Sequence, residues 1–176
     1  TNDDTSRDIY TEEVADGVSL LKIGFIYGSN ASGKTNILKA LDFFSQFMVN
    51  DGLNKGDEIG VVPFLLDDVS DKERTQFEMS FYLNREKYKL NLVLDNKVIY
   101  EETLQVYSSV QPTLLYKRTY NPEKDATDIV FGGKVGLVKK SREAIEGNTF
   151  NKRTVIAAFG MSNVEKSRLN LVYDFF

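Results

Sequence analysis

The chain contains no cysteine, no histidine and no tryptophan. Without cysteine there can be no disulfide, no thiolate nucleophile and no cysteine-ligated zinc. Without histidine the commonest general base and the commonest metal ligand are both missing. Any chemistry must therefore rest on carboxylates, lysines, hydroxyls, backbone amides and a bound metal ion. Proline is scarce, with 3 in 176 residues, and no linker rich in Pro, Gly and Ser, internal repeat or low-complexity tract is visible. No apolar run approaches the roughly 20 residues that span a bilayer. The opening residues, TNDDTSRD, are polar and acidic, unlike a secretory leader. A cytoplasmic protein without membrane contact is the expectation, and a first residue other than Met hints that the natural N-terminus has been lost. The excess of one charge is small: 22 basic against 26 acidic residues, net −4, gives a nucleic-acid partner no support.

What is present suits a single domain with a real core, since 41% of the residues are hydrophobic. Leu20 to Tyr27, LLKIGFIY, reads as a short buried strand of the parallel type, ending at Gly28. After the glycine loop, Ile37, Leu38, Leu41, Phe44 and Met48 recur at helical spacing, and Asn50-Asp51-Gly52 stops the helix. The aromatic positions Phe43, Phe44 and Phe47 read as core rather than as a partner groove. The period then changes to two. Phe77, Met79, Phe81 and Leu83 alternate with polar neighbours, as do Tyr88, Leu90, Leu92 and Leu94. Asn84-Arg85 and Asp95-Asn96 suit tight hairpin turns. Val98 to Tyr107 and Leu114 to Tyr120 continue as strands, and Ile129 to Phe131 before Gly132-Gly133 adds a weaker hairpin signal. From Ser141 the pattern turns helical, with Leu169, Val172 and Phe176 on one stripe. The predicted architecture is α/β: a strand–glycine loop–helix unit over 20–50, an antiparallel meander over about 61–135 and a helical part over about 141–176.

Gly28-Ser29-Asn30-Ala31-Ser32-Gly33-Lys34-Thr35 fits the P-loop pattern G-x-x-x-x-G-K-[ST] without a mismatch. Glycines at both ends let the backbone turn where a Cβ would obstruct it. Consecutive amides can then form an anion nest, to which the following helix adds its positive end. Lys34 can reach β- and γ-phosphate oxygens and balance charge during transfer, so it is the candidate catalytic residue. The Thr35 hydroxyl is the candidate magnesium ligand. The expected ligand is a nucleoside triphosphate with Mg²⁺, and the loop itself says little about the base.

The wider string IYGSNASGKTNILKAL, with Asn30 inside the loop and Asn36 after Gly-Lys-Thr, resembles the SMC and RecF class of ABC-type ATPase heads. It is closer still to bacterial AAA-family ATP-binding proteins related to the overcoming-lysogenization-defect ATPases. PFLLDD, the paired-strand segment TQFEMSFYLNREKYKLNLVLDNKVIYEETL and the terminal LVYDFF extend the resemblance. It implies a P-loop NTPase fold of the ABC/SMC-head type, with ATP and Mg²⁺ bound at Gly28 to Asn36. It further implies a homodimer of heads sandwiching ATP, and an effector such as a nuclease or toxin. The family's later aspartate–glutamate pair, Ser-Gly-Gly signature and switch histidine have no counterpart here, and VIAAFGMSN, from Val155 to Asn163, holds no glutamine for the metal. The front half of such a head is expected, with hydrolysis completed elsewhere in a full protein.

Several shorter patterns compete. Asp67 and Asp68 end an apolar run as a magnesium-binding pair would, but Pro63 suits a turn better than a central strand. Asn54-Lys55-Gly56-Asp57 matches the guanine-reading N-K-x-D, and Asp57 to Gly60 matches D-x-x-G, although one short turn holds both. Phe131-Gly132-Gly133-Lys134 reads as a turn rather than an ABC signature. Lys139, Lys140, Arg142, Lys152, Arg153 and Lys166 read as a solvated face. A non-hydrolytic nucleotide-binding interaction module, a GTPase and a small-molecule kinase remain as alternatives to an ATPase.

Overall fold

The computed structural model describes residues 7–62 and 73–176. A single helical turn, α1 (Arg7–Tyr10), leads into a hairpin of β1 (Thr11–Ala15) and β2 (Val18–Leu21), folded around Asp16-Gly17 with Gly17 at φ 70°. Asp-Gly between strands is a strong short-range hairpin signal, and this hairpin was not among the predicted elements. Helix α2 (Lys34–Met48) follows the glycine loop.

The centre of the molecule is a five-stranded antiparallel meander in simple sequence order: β3 (Thr75–Leu83), β4 (Glu86–Leu94), β5 (Ile99–Tyr107), β6 (Thr113–Asn121) and β7 (Ala126–Phe131). Asn84 and Arg85 both take positive φ, 49° and 65°, as a two-residue turn matched to strand twist requires. That turn sets Leu83 opposite Glu86, and every pair up to Thr75 opposite Leu94 follows. One face is apolar in the predicted phase: Tyr88, Leu90, Leu92 and Leu94 are fully buried, with Leu104 and Val106 beside them. The weak signal at Ile129 to Phe131 proves to be part of a full edge strand. Gly132 then opens a 3-10 turn, Gly133–Val135, instead of a hairpin. A Cβ on Gly132 would lie 1.9 Å from the Leu114 carbonyl oxygen, which explains a glycine at this close approach.

The C-terminal third is helical: α3 (Lys139–Asn148), α4 (Val155–Gly160) and α5 (Arg168–Phe175). Leu169 and Val172 are buried and Phe176 packs against the same core, as their spacing predicts. The apolar sheet face meets α2 and α5 through rings: Phe44 on Phe77 at 5.2 Å, Phe81 stacked on Phe175 at 4.5 Å, and Phe44 edge-on to Phe176. Such pairs add about 0.5–1.5 kcal/mol each beyond the area they bury. Val155 to Phe159, where a metal-contacting glutamine was sought, are buried in α4.

Two expectations fail. Residues 23–29 form no regular element, and among the described residues no strand pairs with 23–27. Ile23, Phe25, Ile26 and Tyr27 are all more than half exposed. A buried parallel strand needs neighbours on both sides, and the meander is hydrogen-bonded within itself as an all-antiparallel sheet. The helical stripe is buried only in its second half. Phe44, Phe47 and Met48 enter the core, while Ile37, Leu38 and Leu41 face outward beside the loop, because the sheet contacts only the C-terminal end of α2.

The sheet and helices are also joined through polar groups. Arg168 of α5 pairs with Glu86 at the start of β4, and Ser108 donates to the same carboxylate at 2.6 Å. These partners hold Glu86 below the usual carboxylate range, the Arg168 hydrogen bond contributing most. A depressed folded-state pKa means that this stabilisation is present at neutral pH and disappears as acid protonates the folded carboxylate. In urea melts between pH 7 and pH 3, Glu86→Gln should flatten part of the acid loss of stability seen in the parent. Parallel pH profiles for the two proteins would refute this.

Candidate phosphate-binding site

The loop before α2 is built by two left-handed residues. Ala31 has φ 62° and Gly33 φ 87°, and Gly33 is the residue from which the helix starts. The reversal lets Ser32 N–H donate to Ser29 O at 3.3 Å, closing a turn. The Gly33 carbonyl accepts from Asn36 and Ile37 as the helix begins. The amides of Gly33, Lys34 and Thr35 donate to no acceptor among the described residues, the ordinary state of a helix N-terminus that has no side-chain cap. No acidic residue occupies the first turn, so the positive end of the helix dipole is uncompensated.

Ala31, Ser32, Gly33, Lys34, Thr35 and Asn36 line a cavity of about 170 Å³ at this helix end. Lys34 folds back across the loop. Its ammonium donates to Gly28 O at 2.9 Å and Ser29 O at 2.5 Å, with Ser32 Oγ at 3.3 Å. A Cβ on Gly28 would come within 2.7 Å of Ser32 Oγ, a hydroxyl that would have to turn away. Of the nine predicted residues, six thus line the cavity, and Gly28, Ser29 and Ser32 are gathered by the Lys34 ammonium. Asn30 stands apart at the exposed tip of the turn. The arrangement fits a small anion: three amides, the Lys34 ammonium nearby and an uncompensated dipole lie at this helix end, and no carboxylate among the described residues lines the cavity.

The competing patterns take structural roles. Asp57 accepts from Asn54 N at 2.8 Å and Asn54 Nδ2 at 3.1 Å, and these bonds lower its pKa. The N-K-x-D match is therefore a self-bonded turn. Pro63 to Asp68, with the candidate pair Asp67 and Asp68, lies outside the described residues. No group of three or more Asp or Glu among the described residues could hold a metal ion unaided. A larger cavity, about 330 Å³, is lined by Lys55, Asp125, Thr127 and Lys152 among others. Its polar groups are already engaged. Asp125 accepts from Tyr120 and Asn151, and Lys152 donates to the carbonyls of Lys55 and Asp57. No helix among the described residues is long and apolar enough to cross a membrane.

Sequence reasoning missed a buried polar core. Glu102 on β5 and Arg118 on β6 are both fully buried. Glu102 accepts from Tyr116 OH at 2.6 Å and from Val155 N at 2.9 Å, at the N-terminus of α4. Arg118 donates to the carbonyls of Ile99, Phe150 and Asn151. Burial pushes the Glu102 carboxyl up, opposed by the charge of Arg118 and by its hydrogen bonds. Burial also pushes Arg118 down to about 10, which leaves it charged at neutral pH. The available signal was phase: the inward period of Leu104 and Val106 extends back to Glu102.

A family model described as "AAA domain, putative AbiEii toxin, Type IV TA system" matches residues 23–164. The match begins in the exposed apolar segment before the glycine loop and runs through the meander, α3 and α4. No curated protein and no solved structure matches the chain.

Proposed function

The chain belongs to this AAA-domain family, and we propose that within it Gly28 to Asn36 bind the phosphates of ATP together with magnesium. The observation that carries the reading is the convergence of the Gly33, Lys34 and Thr35 amides with the Lys34 ammonium on one small cavity. In this reading Lys34 exchanges its loop carbonyls for β- and γ-phosphate oxygens. The Thr35 hydroxyl, in the first turn of α2, would help to hold Mg²⁺, which would supply neutralisation of phosphate charge. Gly28 and Gly33 keep the backbone close enough for the amides to reach the anion.

The finer proposal is an ABC-type, SMC-like head, in which ATP brings two copies together and hydrolysis in the full protein releases them. The resemblance of the loop and its flanks supports it, as does the exposed apolar surface of Ile23 to Tyr27 and of α2 around the loop. A toxin–antitoxin setting takes its support from the family description, and an anti-phage role with a separate effector from the resemblance alone. No residue of the described chain is assigned as the base that activates water, because the fully buried carboxylate Glu102 is committed to α4. That commitment favours, as a second reading, a module that binds nucleotide without turning it over.

Calorimetric titration of the folded chain with ATP, with and without magnesium and with GTP as competitor, tests the site. The expected result is magnesium-dependent ATP binding that GTP displaces poorly. A folded chain that binds neither nucleotide would overturn the proposal, and a strong preference for GTP would move it to the GTPase reading.

A further inference from the structure

The segment Phe150 to Val155 touches two bodies at once. On one side it holds the sheet. The carbonyls of Phe150 and Asn151 accept from buried Arg118, Asn151 O also accepts from Ile99 N, and Val155 N–H donates to Glu102. On the other side it grips the far end of the helix that begins at the glycine loop. Thr154 Oγ1 donates to Met48 O, in the last residue of α2, at 2.7 Å, and accepts from Ala157 N at 3.0 Å. Arg153 donates to the carbonyls of Asp51 and Leu53, and Lys152 to those of Lys55 and Asp57. Consecutive side chains from 152 to 154 thus bind the last carbonyl of α2 and four carbonyls of the segment that leaves it. Ring packing holds the C-terminal half of α2 against the sheet, and hydrogen bonds add directional restraint that apolar contact lacks. Hydrogen bonds to the Met48 carbonyl, and to four carbonyls of the segment from Asp51 to Asp57, add directional ties at the C-terminal end of the helix.

We infer that Lys152, Arg153 and Thr154 are positioning residues for the phosphate site, acting through α2. A helix of 15 residues is a rod about 22 Å long. Its N-terminal amides can meet a phosphate only where its C-terminal anchor puts them. Half of α2 beside the loop, Ile37, Leu38 and Leu41, makes no core contact that could do this instead. The clasp therefore adds polar ties between the exit of α2 and the sheet-bound segment to the ring contacts that α2 makes with Phe77. Linkage makes the relation reciprocal: if the clasp favours nucleotide, nucleotide must tighten the clasp.

This inference rests on the ATP-binding reading, and the experiment separates the two. ATP–magnesium affinity is measured for the parent, Thr154→Val, Thr154→Ser and Lys152→Met, with amide hydrogen exchange over 150–157 recorded with and without ATP. Thr154→Val should weaken binding by about fivefold or more, and Thr154→Ser, which keeps the hydroxyl, should restore it. Exchange over 150–157 should slow when ATP binds the parent. Lys152→Met removes only half-exposed attachments, so it tests the clasp even if Thr154→Val fails to fold; it should weaken binding in the same direction. Parent binding with no change in exchange over 150–157, or folded variants with unaltered affinity, would overturn the inference while leaving the site intact. Failure of the parent to bind would instead sink the site reading on which this one stands.

Discussion

Arg118→Leu should lower the stability of the folded chain by about 3–5 kcal/mol, the usual cost of removing one partner from a buried charged pair. The guanidinium satisfies three carbonyls, those of Ile99, Phe150 and Asn151, and it is the positive charge acting on Glu102. Leucine removes a donor from each of those carbonyls, although Phe150 O and Asn151 O keep the backbone donors Arg153 N and Ile99 N, and it leaves Glu102 buried without compensation. Total stabilities are about 5–15 kcal/mol, so the folded population itself is at stake. Urea unfolding measures the loss, and a midpoint unchanged from the parent would sink the assignment. Two further signatures are specific to charge. Adding Glu102→Gln to Arg118→Leu should recover stability, because the orphaned carboxylate is then gone. Arg118→Leu should also suffer less in mild acid than in mild base. Its Glu102 pKa rises further above the unfolded value, and a raised carboxyl pKa contributes stability below the unfolded pKa that is lost as pH rises through the folded one.

That pair also marks where the sequence stops being readable. The meander was legible because two independent signals agreed: period-two alternation from Phe77 to Leu94, and turn residues at Asn84-Arg85 able to take the left-handed backbone. The loop stood out because its spacing matches a phosphate-binding pattern, and the structure gathers Gly28, Ser29 and Ser32 around the Lys34 ammonium. Glu102 and Arg118 were not, because a charged residue in a strand ordinarily faces water, and only its phase relative to Leu104 says otherwise. Lys152 and Arg153 read as part of a solvated face, yet their work is to bind backbone carbonyls about 100 positions earlier, at Asp51 and Lys55. Contacts of that separation leave no local pattern. The strand expected from Leu20 to Tyr27 misleads for the converse reason. Its apolar composition describes what the segment suits, while pairing depends on neighbours that the described residues do not supply. The same holds for Ile37, Leu38 and Leu41, whose helical spacing is real but whose face the sheet does not reach.

Lys34→Ala should weaken ATP–magnesium binding by about tenfold to a hundredfold, because hydrogen bonds to charged groups contribute about 1.5–3 kcal/mol each. The effect on folding should be small. In the free chain the Lys34 ammonium donates only to exposed acceptors, Gly28 O, Ser29 O and Ser32 Oγ, and water can replace it on all three. Those same contacts set a limit on what Lys34 contributes, since they must be given up before the ammonium reaches a phosphate. A dianionic or trianionic phosphate chain outcompetes neutral carbonyls for an ammonium, so the exchange runs toward the ligand. Lys34→Arg should not restore affinity. The planar guanidinium spreads its charge over a wider fork and does not reproduce the compact contact of an ammonium between phosphate oxygens. Calorimetry at two salt concentrations separates charge from shape: the parent should lose more affinity with added salt than Lys34→Ala, because only the parent brings this charge to the ligand. Equal affinities for parent and Lys34→Ala would place the nucleotide somewhere other than this loop. The free amides of Gly33, Lys34 and Thr35 would then need another anion to explain their convergence.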